Sequence, residues 1–160
     1  MTRSQIRQVE KNDHEWIVSL LERHWGSTRI VSRGRIHQAD RLPGFVAVQG
    51  RDRIGLATYH VEGAECELVS LNSEHERHGV GSGLVEAVKT AAFAAKCRRL
   101  WVVTTNDNLA ALRFYQKRGF FLVAVYPNAL DESRTMKPEI PALGMDEIPL
   151  RDEIELQLPL

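Results

Sequence analysis

Cysteine is scarce in this chain: Cys66 and Cys97 stand far apart and neither belongs to a Cys-x-x-Cys pair. That excludes a disulfide framework and a thiolate metal centre, and it predicts two buried thiols in a reducing cytosol. An excess of one charge is also missing. Lys plus Arg number 21 and Asp plus Glu number 21. No overall field therefore favours nucleic acid or an anionic membrane, and any anion must be held locally. Long hydrophobic runs are absent too. The opening MTRSQIRQVEKND has no apolar stretch of the signal-peptide kind, and no later segment could span a bilayer. The expectation is a cytoplasmic protein with neither nucleic-acid nor membrane partners. Proline is nearly absent from the first 126 residues, since five of the six prolines lie at or beyond Pro127.

What remains is ordinary for a globular protein: 160 residues, 43% hydrophobic and 26% charged, enough for a single domain spanning 1–160. Residues 5–8 alternate as a short strand. Asn12 or Asp13 then offers an N-cap, and Trp16, Ile17, Leu20, Leu21 and His24 follow at helical spacing until Gly26. Residues 27–42 are polar and Arg-rich, with one helical turn expected around 36–40. Strands follow at 45–49, 54–62 and 66–71, joined near Gly50 and Gly63.

The clearest helix begins at Val80, where Val80, Leu84, Val88, Ala91 and Ala95 mark one apolar face. A strand at 100–105, a helix at 108–118 ended by Gly119 and a strand at 120–126 complete the middle of the chain. The Pro-rich remainder predicts a long irregular connection with a helix near 129–136. It closes on Ile154, Leu156 and Leu158 alternating with Glu153, Glu155 and Gln157, a half-exposed strand. Such mixed order with several hairpins predicts one α/β or α+β sheet, only partly parallel.

The stretch His75-Glu-Arg-His-Gly-Val-Gly-Ser-Gly-Leu84 precedes that long helix. It lacks the Lys-Ser/Thr of a triphosphate loop, and Leu84 occupies the place of the third glycine of a dinucleotide fingerprint. Even so, Gly79 and Gly81 allow close backbone approach, and the first N–H groups of the helix are free donors at its positive end. A phosphate cradle and a plain strand–helix connection both remain open on this stretch alone. His75 and His78 lack a third ligand nearby, so no metal site is expected.

A second motif, Asn108-Leu-Ala-Ala-Leu-Arg-Phe-Tyr-Gln-Lys-Arg-Gly-Phe120, lies downstream. Its pattern N-x-x-A-x-x-x-Y-x-x-x-G-F, preceded by G-x-G-x-x-L, resembles the GNAT superfamily of acyl-CoA N-acyltransferases. Asn108, Ala111, Tyr115, Gly119 and Phe120 fall on family positions, as do Gly79, Gly81 and Leu84. The resemblance covers residues 45–126 well and the C-terminal region weakly. It implies a mixed, largely antiparallel central sheet flanked by helices, with an acyl-CoA cleft between the middle strands.

The resemblance also implies roles. Acetyl-CoA would be the co-substrate, its pyrophosphate on Arg77, His78, Gly79, Val80, Gly81 and Ser82, and its pantetheine arm along Val69, Ser70 and Leu71. Backbone N–H near Leu71 would polarise the thioester. Asn108 would touch the cofactor, though plain capping of its helix is equally compatible. Tyr115 would protonate the departing thiolate, which suits a phenol of reference pKa about 10; a core aromatic is the other reading. One departure stands out. Glu76 occupies a place where the family usually has Gln or Arg, and it is expected to face solvent while Arg77 or His78 supplies positive charge.

The acceptor amine must lose a proton. Glu65 and Glu67, two apart on one strand, share a face and could take it, with Glu62 and His60 in reserve, or could be solvated surface carboxylates. Trp16, Trp25 and Trp101 read as core or pocket walls, and Arg33, Arg35, Asp131 and Glu132 as charges that could meet an acceptor. The expected reaction is acetyl transfer to a primary amine of a small molecule or peptide by direct attack in a ternary complex. A non-catalytic acyl-CoA sensor is the alternative, and a homodimer is left open.

Overall fold

The computed structural model describes residues 3–74 and 79–160. Its strands are β1 (Ser4–Gln8), β2 (Arg29–Ser32), β3 (Arg35–Gln38), β4 (Gly44–Gln49), β5 (Asp52–Glu62), β6 (Glu65–Ser73), β7 (Arg99–Thr105), β8 (Phe121–Tyr126) and β9 (Glu153–Pro159). The helices are α1 (His14–Trp25), α2 (Val80–Ala94), α3 (Leu109–Lys117) and α4 (Ala129–Met136). Seven strands form one sheet in the order β1-β4-β5-β6-β7-β9-β8, while β2 and β3 pair separately. All pairings are antiparallel except β6 with β7. A parallel pair requires a crossover, and α2 supplies it.

Each face of the sheet has its own core. Leu84, Val88 and Ala92 of α2 meet Cys66, Leu68, Leu100, Val102 and Leu156 on one side. Ile17, Leu20 and Leu21 of α1 meet Ile30, Val46, Leu56 and Val69 on the other. Both thiols are buried, as expected, and burial pushes that of Cys66 up to about 12. Among the described residues, no helix is long and apolar enough to cross a membrane.

Three local readings change. Asp13 does precede α1, yet its side chain does not cap it. Its buried carboxylate instead accepts two bonds from Arg7 (2.8 and 2.9 Å), one from Arg53 Nε (2.8 Å) and one from Glu10 N–H (2.7 Å). The helical turn expected at 36–40 is mostly strand, with a short 3-10 turn only at Ala39–Arg41. Arg33 and Gly34 both take positive φ (49° and 74°), the twist that a two-residue hairpin turn needs. With that turn set, Ile30, Ser32 and His37 are buried on the inward face, Arg35 shares that face at its exposed rim, and Arg29 and Gln38 point outward.

The last correction concerns β9. Its acids are not half-exposed: Glu153 and Glu155 are 3% and 7% accessible. Arg33 Nη1 reaches Glu153 (2.9 Å), while Arg99 Nη1 (2.8 Å) and the Tyr126 hydroxyl (3.0 Å) reach Glu155. Alternation found the strand but could not reveal the cations above it. The predicted helix at 129–136 is present as α4. The connection after it is pinned to the loop after β7: Asn106 bonds Pro149 O and the N–H groups of Arg151 and Asp152, and Asp107 accepts from Met145 N–H.

Candidate active site

The two parallel strands do not stay together. β6 and β7 pair over only four positions, from Glu65–Arg99 to Leu68–Val102. Beyond them, among the described residues, β6 runs on to Ser73 against β5 alone, and the end of β7 pairs only with β9. The divergence begins where β6 carries an extra residue. Thr58 pairs with Ser70 and Tyr59 with Leu68, so Val69 is bulged. Leu68 and Leu71, three apart, consequently share the α2 core, while Val69 turns to the α1 core. The bulge thus opens one edge of β6, at residues 69–71, toward the gap.

The N-terminus of α2 stands beside this gap. Gly79 takes φ +68° with open space around it, a left-handed position suited to glycine. The first intrahelical bond runs from Gly83 N–H to Gly79 O (2.9 Å), so the N–H groups of Val80, Gly81 and Ser82 precede the helical ladder. Gly81 has a second duty: a Cβ there would lie 3.1 Å from the Phe114 ring. Arg118 closes the contact between α2 and α3, its Nε donating to Ser82 Oγ (2.7 Å) and its guanidinium lying 3.6 Å from the Phe114 ring centre. Asn108 accepts from Ala111 N–H (3.0 Å) and so does cap α3. Tyr115 is 7% accessible, edge-on to Phe114 and Phe120 at 5.2 Å each. Burial raises its phenol above the ordinary value, so it is protonated at neutral pH.

On the opposite face of the sheet, under the β2–β3 hairpin, lies a cavity of about 150 Å³ lined by Ser32, Arg33, Arg35, His60, Glu62, Glu65, Glu67 and Trp101. Glu67 is 4% accessible. Ser32 Oγ donates to its Oε2 (2.7 Å), and His37 Nε2 lies 3.1 Å from its Oε1. The His37 and His60 rings are 5.6 Å apart. Glu65, by contrast, has a half-exposed side chain tied to Arg99 Nε at 2.6 Å. Arg35 is taken up by Glu62 (2.8 Å), and Arg33 stacks 3.2 Å over Tyr126. Among the described residues no group of three His, Cys, Asp or Glu side chains could hold a metal ion.

Residues 6–120 match the Acetyltransferase (GNAT) family. The chain belongs to the GNAT acetyltransferase family. It is an N-acetyltransferase. A Bacillus subtilis (strain 168) relative, uncharacterized protein YdhI, is 41% identical over 139 residues, covering 86% of this chain and 87% of the relative. A solved IAA acetyltransferase from Bacillus cereus ATCC 14579 superposes with a TM-score of 0.77 at 22% identity, covering 99% of this chain and all of that one. A Bacillus subtilis acetyltransferase in complex with CoA superposes with a TM-score of 0.68 at 16% identity, covering 100% and 99% of the two chains. These two are likenesses of fold.

Within this GNAT fold the residues singled out from sequence fall into two groups. Val69, Ser70 and Leu71 lie on the freed edge of β6, Gly79, Val80, Gly81 and Ser82 at the start of α2, Asn108 at the N-cap of α3 and Tyr115 in its last turns, next to the Phe114 that packs on Gly81. Glu65, Glu67, His60, Glu62, Arg33, Arg35 and Trp101 gather around the cavity. Arg77 and His78, with His75 and Glu76, lie outside the described residues. Asp131 lies exposed on α4, paired with Arg134 (3.4 Å). Trp16 packs on the α1 core, and Trp25 donates to Asn72 Oδ1 (3.1 Å). Sequence reading missed Ser32 and His37, whose hairpin was hidden in an Arg-rich stretch; Arg33-Gly34 was the available signal. It also missed Arg118, although that residue sits inside the second motif just before Gly119.

Proposed function

We propose that the protein transfers the acetyl group of acetyl-CoA to a primary amine of a small molecule or peptide, by direct attack in a ternary complex. The observation that carries this is the opening between β6 and β7. The donor-rich start of α2 belongs to one side of the sheet and the Glu67 cavity to the other. One substrate can enter from each side and meet at the bulge.

In this reading Gly79, Val80, Gly81 and Ser82 hold the pyrophosphate through backbone N–H groups at the positive helix end. Arg77 and His78 add charge from before the helix. Arg118, anchored on Ser82, adds a guanidinium that sequence reading had not assigned. Val69, Ser70 and Leu71 offer the pantetheine arm a strand edge, and Leu71 N–H polarises the thioester carbonyl. Asn108 keeps its capping bond and has further acceptor and donor capacity for the cofactor. Tyr115, held neutral by burial, donates to the departing thiolate.

Of the two carboxylates, Glu67 is the buried one, fixed at the cavity by Ser32 and His37, whereas Glu65 is half-exposed and paired with Arg99. The cavity is small, walled by Trp101 and rich in carboxylate, which suits a compact cationic amine. Thiol release from acetyl-CoA across a panel of alkyl amines, amino acids and peptides tests the proposal. Turnover with at least one amine is expected; tight acetyl-CoA binding without turnover of any amine would defeat it.

A further inference from the structure

Resting on that reading of the reaction, the cavity also answers where the acceptor's proton goes. An amine arrives as R–NH3+ and leaves as an amide carrying one N–H, so two protons must depart. Glu67 is poorly placed to take one. Both of its oxygens are engaged, Oε2 by the Ser32 hydroxyl and Oε1 by His37 Nε2.

His60 is differently situated. Its Nε2 is buried and has no hydrogen-bond partner among the described residues, and the residue lines the same cavity. Buried polar atoms in folded proteins are almost always paired, so one left open beside a cavity is a place where a ligand completes the bonding. His60 also stands directly opposite Glu67 in the β5–β6 register. Residues so paired point to one face with Cβ atoms about 4.5–5.5 Å apart.

The charges facing His60 are Glu67 and Glu65 from β6, Glu62 from its own strand, and Arg33, Arg35 and His37 from the hairpin. Arg35 is paired with Glu62, Arg33 with Glu153 and Glu65 with Arg99. Glu67 alone on this wall has no arginine or lysine partner among the described residues; its ion-pair contact is His37. Its charge is therefore available to a cation forming at His60.

We propose that His60 is the general base of the transfer, receiving one ammonium proton on Nε2, while Glu67, fixed by Ser32 and His37, stabilises the imidazolium that results. The freed nitrogen lone pair forms the C–N bond to the acetyl carbonyl carbon, and the C–S bond breaks. The second nitrogen proton ends on the departing sulfur, by way of Tyr115. The proton on His60 passes to water before the next turnover. The sum is one amide, one thiol and one released proton. Imidazole ionises near neutral pH without perturbation, which suits a base that must be free before attack and able to shed its proton afterwards.

The test is thiol release with an accepted amine, followed across neutral pH at two temperatures. In the wild-type protein kcat is expected to rise along one limb whose midpoint falls on warming, as imidazole ionisation does and carboxylate ionisation does not. His60→Gln is expected to lose that limb and roughly 10²–10⁴-fold in kcat, to keep its acetyl-CoA affinity by calorimetry, and to regain activity with added imidazole. His37→Gln should keep the limb, and Glu67→Gln should move it to lower pH.

A temperature-independent limb in the wild type, a reading that needs no variant to fold, would overturn the assignment. So would wild-type kcat in His60→Gln, or loss of the limb in His37→Gln alone. Each of these leaves acetyl transfer standing. Failure of every amine to release thiol from the wild-type protein would instead remove the reaction and the base together.

Discussion

The two sides of the β6–β7 opening are built from different materials. Around the start of α2 the contacts are close and largely apolar: Gly81 against Phe114, Gly83 against Ile6, Tyr115 between Phe114 and Phe120. Under the β2–β3 hairpin the contacts are buried hydrogen bonds and ion pairs, with Glu67, Glu153 and Glu155 all inaccessible and each answered by a partner on another element. In the proposed reading, one side would recognise a constant group by backbone shape, and the other would hold an acceptor by polar side chains that must all be satisfied, so that its chemistry could change with a single substitution. Variants on the two sides should accordingly fail in different ways.

Glu67→Ala should produce the largest effect. It leaves the Ser32 hydroxyl and His37 Nε2 buried without their acceptor. At about 1–3 kcal/mol for each of the two orphaned groups, a stability loss of about 2–6 kcal/mol is expected by urea unfolding. Amine turnover should be abolished while acetyl-CoA affinity stays within about twofold of wild type. A large loss of acetyl-CoA affinity would show that the two sides are not separable.

Tyr115→Phe should leave stability almost unchanged and lower the rate. No hydrogen bond to its hydroxyl is found among the described residues, so its removal should change stability by less than about 0.5 kcal/mol. If the phenol protonates the leaving thiolate, kcat should fall roughly 10²-fold with little change in acetyl-CoA affinity. Unchanged kcat in this variant would leave Tyr115 as a core aromatic only.

Gly81→Ala probes the close contact itself. The added methyl would meet the Phe114 ring at 3.1 and 3.2 Å, tight enough that the ring must shift. A loss of about 1 kcal/mol in thermal unfolding is expected, at the mild end of overpacking, with acetyl-CoA affinity lowered several-fold because the ring carries Arg118. Calorimetry on the variant would separate the two effects.

The same division explains what the sequence disclosed. The acyl-CoA side is written along two short segments with fixed internal spacing, so Gly79 to Leu84 and Asn108 to Phe120 could be recognised without coordinates. The glycine turns that bound 54–62 and 66–71 and the period of α2 placed the flanking strands and the crossover helix correctly. The acceptor side has no such local spelling. Ser32, His37, His60, Glu67 and Trp101 come from five different strands, and only their register brings them together. Glu153 and Glu155 showed the same limit, since a strand pattern says which residues share a face but not what lies above it. Asp13 likewise had the right residue type for a cap, and two distant arginines took its carboxylate instead.

Arg118 is the sharpest place to see where the legible side ends. It lies inside the recognised motif yet was read only as a helix-terminal residue. Its Nε bonds Ser82 and its guanidinium covers Phe114, which puts a positive charge at the start of α2 among N–H groups that precede the helical ladder. Such a charge should act on a bound pyrophosphate but not on the amine. Because the side chain is exposed, salt should screen it. Arg118→Ala should therefore weaken acetyl-CoA binding about three- to tenfold at low salt and less at high salt, at about 1 kcal/mol of charge-assisted bonding. The amine KM should not move. An acetyl-CoA affinity indifferent to this substitution at low salt would make Arg118 a strut between α2 and α3, and would return the anion site to the backbone N–H groups of 80–82 and the residues that precede them.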